Sequence, residues 1–257
     1  MRIVVCVKQV PSSSEVRLDP VTHTIVRDGR QSVLNPFDLY ALALAVELKA
    51  SLGGEVVALS MGIPQTEALL RDAIARGVDR AALLSDRAFA GADTLATSYT
   101  LSRGVERLGS ADLILCGKMA VDGDTAQIGP ELAEQLQLPH VTDVQAILSV
   151  ADGAAIVERL SERGVDTLRV PLPAVLCVNK DIAQPQMPSI AGVRRSLDAR
   201  VDVWTAQDVQ ADLARIGLSG SPTQVVSTDV PERTHRAVYW HGSAQELAAK
   251  LLEEVRA

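Results

Sequence analysis

Aromatic side chains are nearly missing from this chain: two Phe, three Tyr and two Trp make up 3% of its 257 residues. Its core must therefore be assembled from Val, Leu, Ile and Ala, a composition common in sheets covered on both faces by helices. Cysteine is scarce. Cys6, Cys116 and Cys177 are odd in number, form no C-x-x-C, and lie in apolar runs (IVVC, LILC, VLC), which predicts reduced thiols buried in strands. A reducing, cytoplasmic compartment fits that pattern. The N-terminal run IVVCV is too short for a signal-peptide core, and no stretch approaches a membrane span, so a soluble protein is expected. Excess positive charge is absent too: the formal net charge is −7, which argues against an extended nucleic-acid footprint.

The missing motifs exclude further classes. VKQVPSS stands where a G-x-G-x-x-G would follow the first strand, and Gly117-Lys118 lacks the glycine spacing and Ser/Thr of a P-loop. No G-x-S-x-G elbow occurs. The four histidines, His23, His140, His235 and His241, have no metal-ligand spacing among themselves or with the cysteines. No nucleophile is set beside a base. The chain reads as one that binds rather than one that cuts.

What the sequence does hold is alternation. RIVVCVK (2–8) predicts a first strand and VRLDPVTHTIVRDG (16–29) a hairpin excursion. Asn35-Pro36-Phe37-Asp38 opens a helix, with Asn35 as cap and Pro36 in the first turn, and Gly53-Gly54 ends it. EVVALSMG (55–62), AALLSD (81–86) and DLILCG (112–117) predict three further strands. PQTEALLRDAIARGVD and ADTLATSYTLSRGVERLG predict the helices between them. That β-α-β-α-β-α-β order predicts a mainly parallel α/β sheet with helices on both faces. From about residue 144, AILSVADGAAIVERL and GVDTLRVPLPAVLCV predict hairpin or edge-strand material around Asp152-Gly153 and Gly164-Val165. These fall in a domain over 1–181. Residues 182–257 read as a recognition loop and an outward-reaching arm, ending in an amphipathic helix that Ser243 would cap.

The stretch after the fourth strand, GKMAVDGDTAQIGPE (117–131), admits three readings. It is a turn and helix start, with Asp124 or Gly129 capping and Pro130 in the first turn. Alternatively, Asp122 and Asp124 form a D-x-D metal pair, although no further carboxylate joins them. Or it cradles phosphate. Open α/β sheets place ligands at the carboxyl ends of their strands. Gly123 and Gly129 permit close backbone approach, and the following helix start offers free N–H groups to an anion.

VKQVP after strand one, Asn35-Pro36-Phe37, and GKMAVDGDTAQIGPE after strand four, in this order, resemble the beta (small) subunit of electron transfer flavoproteins. The resemblance extends through ARGVDRA (75–81), LPAVLCV (172–178), QPQMPSI-AGVRRS (184–196) and Pro231-Glu232-Arg233. It implies a Rossmann-like, adenine-nucleotide-binding sheet and a C-terminal arm that wraps an alpha subunit, in a heterodimer where that partner holds most of a further FAD. Carried over by position, the nucleotide would lie against Cys6, Val7 and Lys8; Asn35, Pro36 and Phe37; Met61 and Gly62; and Ala120, Val121, Asp122, Gly123, Asp124, Thr125, Ala126, Gln127, Ile128, Gly129 and Pro130. The loop is similar to the DGDTAQVGPE of flavin-bifurcating members rather than the AIDDDCNQTGQ of members with structural AMP. Small residues at Gly123 and Ala126 make FAD the expected ligand, with AMP as alternative. The resemblance implies electron exchange between NADH or dehydrogenases and acceptors such as ferredoxin or flavodoxin. An acyl-CoA dehydrogenase-type partner would dock on Ile182, Gln184, Pro185, Met187 and Pro188, although this loop lacks the glutamate and arginine usual in the family. The rival reading is a free-standing nucleotide-dependent enzyme or sensor.

Overall fold

The structure, a computed structural model, describes residues 1–12, 32–226 and 237–256. The anticipated hairpin over 16–29, His23, His235 and Pro231-Glu232-Arg233 lie outside the described residues. Two compact units are present, Met1–Val225 and Val226–Ala257.

The first unit starts with β1 (Arg2–Cys6), β2 (Gln9–Pro11) and β3 (Ser32–Leu34). Then come α1 (Pro36–Leu52), β4 (Glu55–Met61), α2 (Thr66–Ala75), β5 (Arg80–Leu84), α3 (Thr94–Leu108), β6 (Leu113–Gly117) and α4 (Ile128–Leu136). Strands β7 (His140–Ala151), β8 (Ala154–Ser161), β9 (Gly164–Pro171) and β10 (Ala174–Val178) follow, then α5 (Ile190–Asp198) and β11 (Val201–Trp204). Among the described residues nine strands form one sheet in the order β11-β5-β4-β1-β6-β10-β7-β8-β9. It is parallel from β11 through β7, while β8 and β9 are antiparallel. The short strands β2 and β3 pair separately.

Strand periodicity explains the layers. Along β1, Ile3 and Val5 turn to one face and Val4 and Cys6 to the other. The first face packs against α1 and α2 through Leu42, Ala45, Leu70 and Ile74. The second packs against α3 and α4 through Tyr99, Val105 and Leu132. Each fully buried Leu, Ile or Val contributes about 1.5–3 kcal/mol, so aliphatic side chains suffice for both layers. The crossovers from β1 to β4 and β5 run one way; the chain then returns past β1 to β6. That reversal between β1 and β6 is the switch point at which such sheets open a crevice.

One expectation is corrected, and the region after residue 181 carries further elements. The run AVLCV is neither hairpin nor edge: β10 is fully buried and lies between β6 and β7, an environment that calls for apolar residues on both faces. The segment after 182 holds regular elements. Helix α5 packs on α2, where Arg71 Nη1 donates to the carbonyls of Ser196 (2.9 Å) and Ala199 (2.7 Å). Strand β11 extends the sheet beside β5. The first compact unit runs to Val225.

The second unit contains α6 (Ala244–Arg256). Its start is a capping box: Ser243 N–H donates to Glu246 Oε2 (2.8 Å), and Glu246 N–H faces Ser243 Oγ (3.4 Å). Val238, Tyr239 and Trp240 line a cleft with Leu247 and Leu251. Tyr239, Leu251, Leu252 and Val255 remain exposed. No helix among the described residues is long and apolar enough to cross a membrane.

Candidate nucleotide site

The carboxyl ends of β1 and β6 are held open by polar ties over long sequence distances. Asn35 precedes α1 but makes no side-chain cap bond, which corrects its anticipated role. Its amide instead reaches the segment after β6: Nδ2 donates to the Met119 carbonyl (2.9 Å), and Oδ1 accepts from Val121 N–H (3.1 Å). The Asn35 backbone N–H donates to the Lys8 carbonyl (2.9 Å). One buried residue thus ties together the ends of β1, β3 and β6.

Asp38, one turn into α1, accepts Lys8 N–H at 2.8 Å. Burial raises its carboxyl from 3.8 to about 7, against the opposing pull of the Asn35 amide, the Lys8 and Gly117 backbone N–H groups and the Lys8 charge. Gly117 ends β6 against this helix start. A Cβ there would fall 2.7 Å from the Phe37 carbonyl carbon and collide with the Asp38 carboxylate, so α1 can seat only on a glycine.

The loop itself turns through two non-glycine residues in the left-handed region, Asp124 (φ 50°) and Ala126 (φ 54°), a conformation costing on the order of 1 kcal/mol each. Its start is closed by Asp124 N–H on the Ala120 carbonyl (2.8 Å). Lys8 Nζ donates to Asp122 Oδ1 at 2.7 Å, so one carboxylate of the D-x-D pair holds a lysine across the crevice. Residues Val121 to Gln127 are exposed, and the space beside Gly123 is open. The N–H groups of Thr125, Ala126, Gln127, Ile128 and Gly129 donate to no acceptor among the described residues. Five such donors stand in succession at a helix start and a switch point, an arrangement able to receive an anion. Gln127 is the cap residue of α4, rather than Asp124 or Gly129, while Pro130 does occupy the first turn.

Beneath the loop, Cys6, Cys116 and Cys177 lie in register on three adjacent strands. All three are free and buried. A hydrogen bond with Cys6, together with burial, pushes the Cys116 thiol well above its ordinary range, and burial does the same for Cys177. Gly129 rests on this row, since a Cβ there would strike Cys177 Sγ.

Cys6, Val7, Lys8, Asn35, Pro36, Phe37 and 120–130 therefore gather at one crevice. Met61 and Gly62 end β4, the strand beside β1, where Gly62 N–H bonds the Leu84 carbonyl (3.0 Å). The recognition-loop residues stand elsewhere: Met187 is 84% exposed and continues onto Ile190 (91%) and Leu197 (71%) of α5. Sequence reading overlooks Thr94, at the start of α3, whose hydroxyl oxygen lies 3.2 Å from Gln127 Oε1 and 3.1 Å from Glu131 Oε1. Asp93 caps α3; an Asp-Thr pair opening a helix after β5 is the signal that points there. Also overlooked is Lys118, whose Nζ binds Asp143 Oδ1 (2.6 Å). No group of three or more His, Cys, Asp or Glu among the described residues is placed to hold a metal ion.

Residues 22–209 match the electron transfer flavoprotein domain. The chain is 43% identical, over 99% of its length and 98% of the relative's, to an electron transfer flavoprotein subunit beta of Thermoanaerobacterium thermosaccharolyticum. It is 40% identical, over 100% and 98%, to the caffeyl-CoA reductase-Etf complex subunit CarD of Acetobacterium woodii. It is 41% identical, over 99% and 91%, to the protein FixA of Bradyrhizobium diazoefficiens.

Proposed function

The chain belongs to the electron transfer flavoprotein family, alongside its beta subunits, and from that premise we propose that its β1/β6 crevice binds FAD. The carrying observation is the run of five free backbone N–H groups from Thr125 to Gly129, set over open space. Those donors and the positive start of α4 would take the phosphates, since an anion gains both the hydrogen bonds and the helix field. Asp122, already engaged by Lys8, orients the loop rather than repelling the ligand. Asn35 fixes the crevice width, and Gly123 and Ala126 leave room beyond the phosphates. AMP at the same crevice is the second reading, because phosphate and adenosine would meet the same groups.

A bound FAD would supply the redox chemistry, that of hydride acceptance and single-electron transfer to separate acceptors. The chain contributes position, exclusion of water by the α1 and α4 starts, and the local field. The role is that of a carrier subunit rather than a free-standing enzyme. An alpha subunit would pair through 182–257, in particular the second unit, whose α6 exposes Leu251, Leu252 and Val255. A CoA-thioester dehydrogenase or reductase would dock on Met187 with the exposed face of α5. The complex named for the Acetobacterium woodii relative supports that class of partner, and a ferredoxin or flavodoxin completes the set.

The test is the nucleotide content of the chain purified with its alpha subunit, released by denaturation and separated by chromatography. Two FAD per heterodimer is the expected result. One FAD with one AMP would replace FAD by AMP in this crevice, and a folded heterodimer without a nucleotide on this chain would sink the cradle.

A further inference from the structure

Glu131 follows the cradle loop in the first turn of α4, and its carboxyl reaches the start of α3. Oε1 lies 3.1 Å from the Thr94 hydroxyl oxygen, which in turn lies 3.2 Å from Gln127 Oε1. Oε2 is enclosed by protein and meets no hydrogen-bond partner among the described residues.

A hydroxyl carries one proton, so Thr94 satisfies an oxygen on each side only if one neighbour brings a proton of its own. Turning the Gln127 amide would let it donate to Thr94, and Thr94 to Glu131. That arrangement leaves an ionised carboxylate with one enclosed oxygen bare, which is the costly outcome. A proton on Glu131 Oε1 gives a relay instead, from Glu131 to Thr94 to Gln127. Every proton then has an acceptor, and no charge sits against the enclosed oxygen.

The surrounding charges favour the relay. From α3, Ser98 and Asp93 face Glu131. Burial works against the Asp93 charge, but donors from Ala96, Thr223 and Ser221 hold its carboxyl below the usual range; the Thr223 hydroxyl stands 2.8 Å away. From β6 and β10 come the Cys116 and Cys177 thiols, and β7, which also packs on α4, carries His140 and Asp143, the latter engaged by Lys118. The Arg215 guanidinium is engaged further along α4 by Gln135 Oε1 (2.8 Å) and lies over the Tyr99 ring. Asp122 is held by Lys8, and Asp124 is exposed on the loop. Among the described residues no basic group pairs with Glu131. Burial, the largest influence, outweighs the pull of the Thr94 and Ser98 hydroxyls on the carboxylate and, joined by the Asp93 charge, raises Glu131 above the ordinary carboxylate range.

We infer that Glu131 is the proton-holding group of the cradle: it takes up a proton when a phosphate-bearing nucleotide settles on the first turn of α4, so that binding and protonation are linked. This rests on the nucleotide reading given above. An anion at that turn is drawn by the free N–H groups and repelled by a Glu131 carboxylate, and protonation removes the repulsion while the relay through Thr94 accommodates the proton. Because the bound anion raises Glu131 further, affinity is highest below the range in which free Glu131 titrates. It falls as pH rises through that range, by up to about tenfold per pH unit where one proton is exchanged.

The test is calorimetric titration of the full chain, together with its alpha subunit and stripped of nucleotide, with AMP and separately with FAD. Paired buffers of different ionisation enthalpy report the protons taken up. Just above the range in which free Glu131 titrates, uptake approaching one proton per nucleotide is expected, beyond that remaining in Glu131→Gln, the difference removing whatever the phosphate itself exchanges; below that range, where Glu131 already holds its proton, the uptake vanishes. Glu131→Gln should bind as tightly as the unaltered protein does at its acid limit, with a flatter pH profile. Thr94→Val should lower the uptake by removing the relay. Equal uptake with and without Glu131, or nucleotide binding with none, overturns the inference while leaving the nucleotide site standing. Failure of both nucleotides to bind a folded heterodimer overturns the site and the inference together. Should Glu131→Gln not fold, the buffer pairs on the unaltered protein still decide, with the uptake on AMP corrected for free phosphate titration.

Discussion

At the β1/β6 crevice, hydrogen bonds between elements join residues 27 to 114 positions apart, whereas the β7–β8–β9 meander is stitched by neighbours. In the meander the Asp152-Gly153 turn joins two strands in direct succession, and Arg159 meets Asp166 only 7 positions on. One face packs Ala155, Val157 and Val170 into the core while Leu160 and Val165 stand half-exposed, the alternation of a one-sided sheet. Local pairing is enough where the backbone satisfies itself. The crevice has irregular backbone and must borrow donors and acceptors from distant elements, which is how a binding surface keeps both its shape and its unspent N–H groups.

The sharpest way to break this contrast is Gly117→Ala. Its added carbon meets the Phe37 and Asp38 backbone and carboxylate, and the expected loss is about 3 kcal/mol in chemical denaturation. A loss under about 1 kcal/mol would mean that α1 is not seated on that glycine.

Asp38 sharpens the contrast through pH. Its carboxyl titrates at about 7 in the fold against 3.8 ordinarily, so the native state holds the proton more tightly than the unfolded chain. Its stabilising share is complete below the ordinary value and is lost as pH rises towards about 7, with a slope of up to about 1.4 kcal/mol per pH unit. Denaturation midpoints across that window should show the slope, and Asp38→Asn should flatten it. A slope unchanged in Asp38→Asn would place the titration elsewhere.

On the meander, Leu160→Ser should change stability by no more than about 0.5 kcal/mol in the same denaturation assay. A cost several times larger would show that the exposed face is as tightly engaged as the crevice.

How much of this was legible follows the same division. The strands β1, β4, β5 and β6 and the helices between them announce themselves by period and by Gly and Pro stops. The five-residue run of β10 carries no sign of its place, because a buried central strand and a short hairpin strand share one composition. Asn35 before Pro36 has the residue type of a cap, and only the fold reveals that its amide is spent on Met119 and Val121, 84 and 86 positions away. That a loop and helix start follow β6, both of which the structure has, was readable from the glycines and Pro130. The Thr94–Glu131 contact was not, since it joins the starts of two helices that meet only once the sheet is wound. Helix α5 escaped notice because prolines precede it and its apolar side faces outward at Ile190 and Leu197.

The row of sulfurs beneath Gly129 sets the height of the proposed cradle. Helix α4 comes to rest where a residue without a side chain meets Cys177 Sγ, so the height of its first turn is fixed by one atomic radius and one missing carbon. The free N–H groups of Ile128 and Gly129 belong to that turn and rise or sink with it. A thicker layer, from a β-carbon at 129 or a branched side chain at 177, would lift the floor of the cradle without altering any residue that faces a ligand. The dimensions of the proposed binding surface are in this sense written in the hydrophobic layer below it.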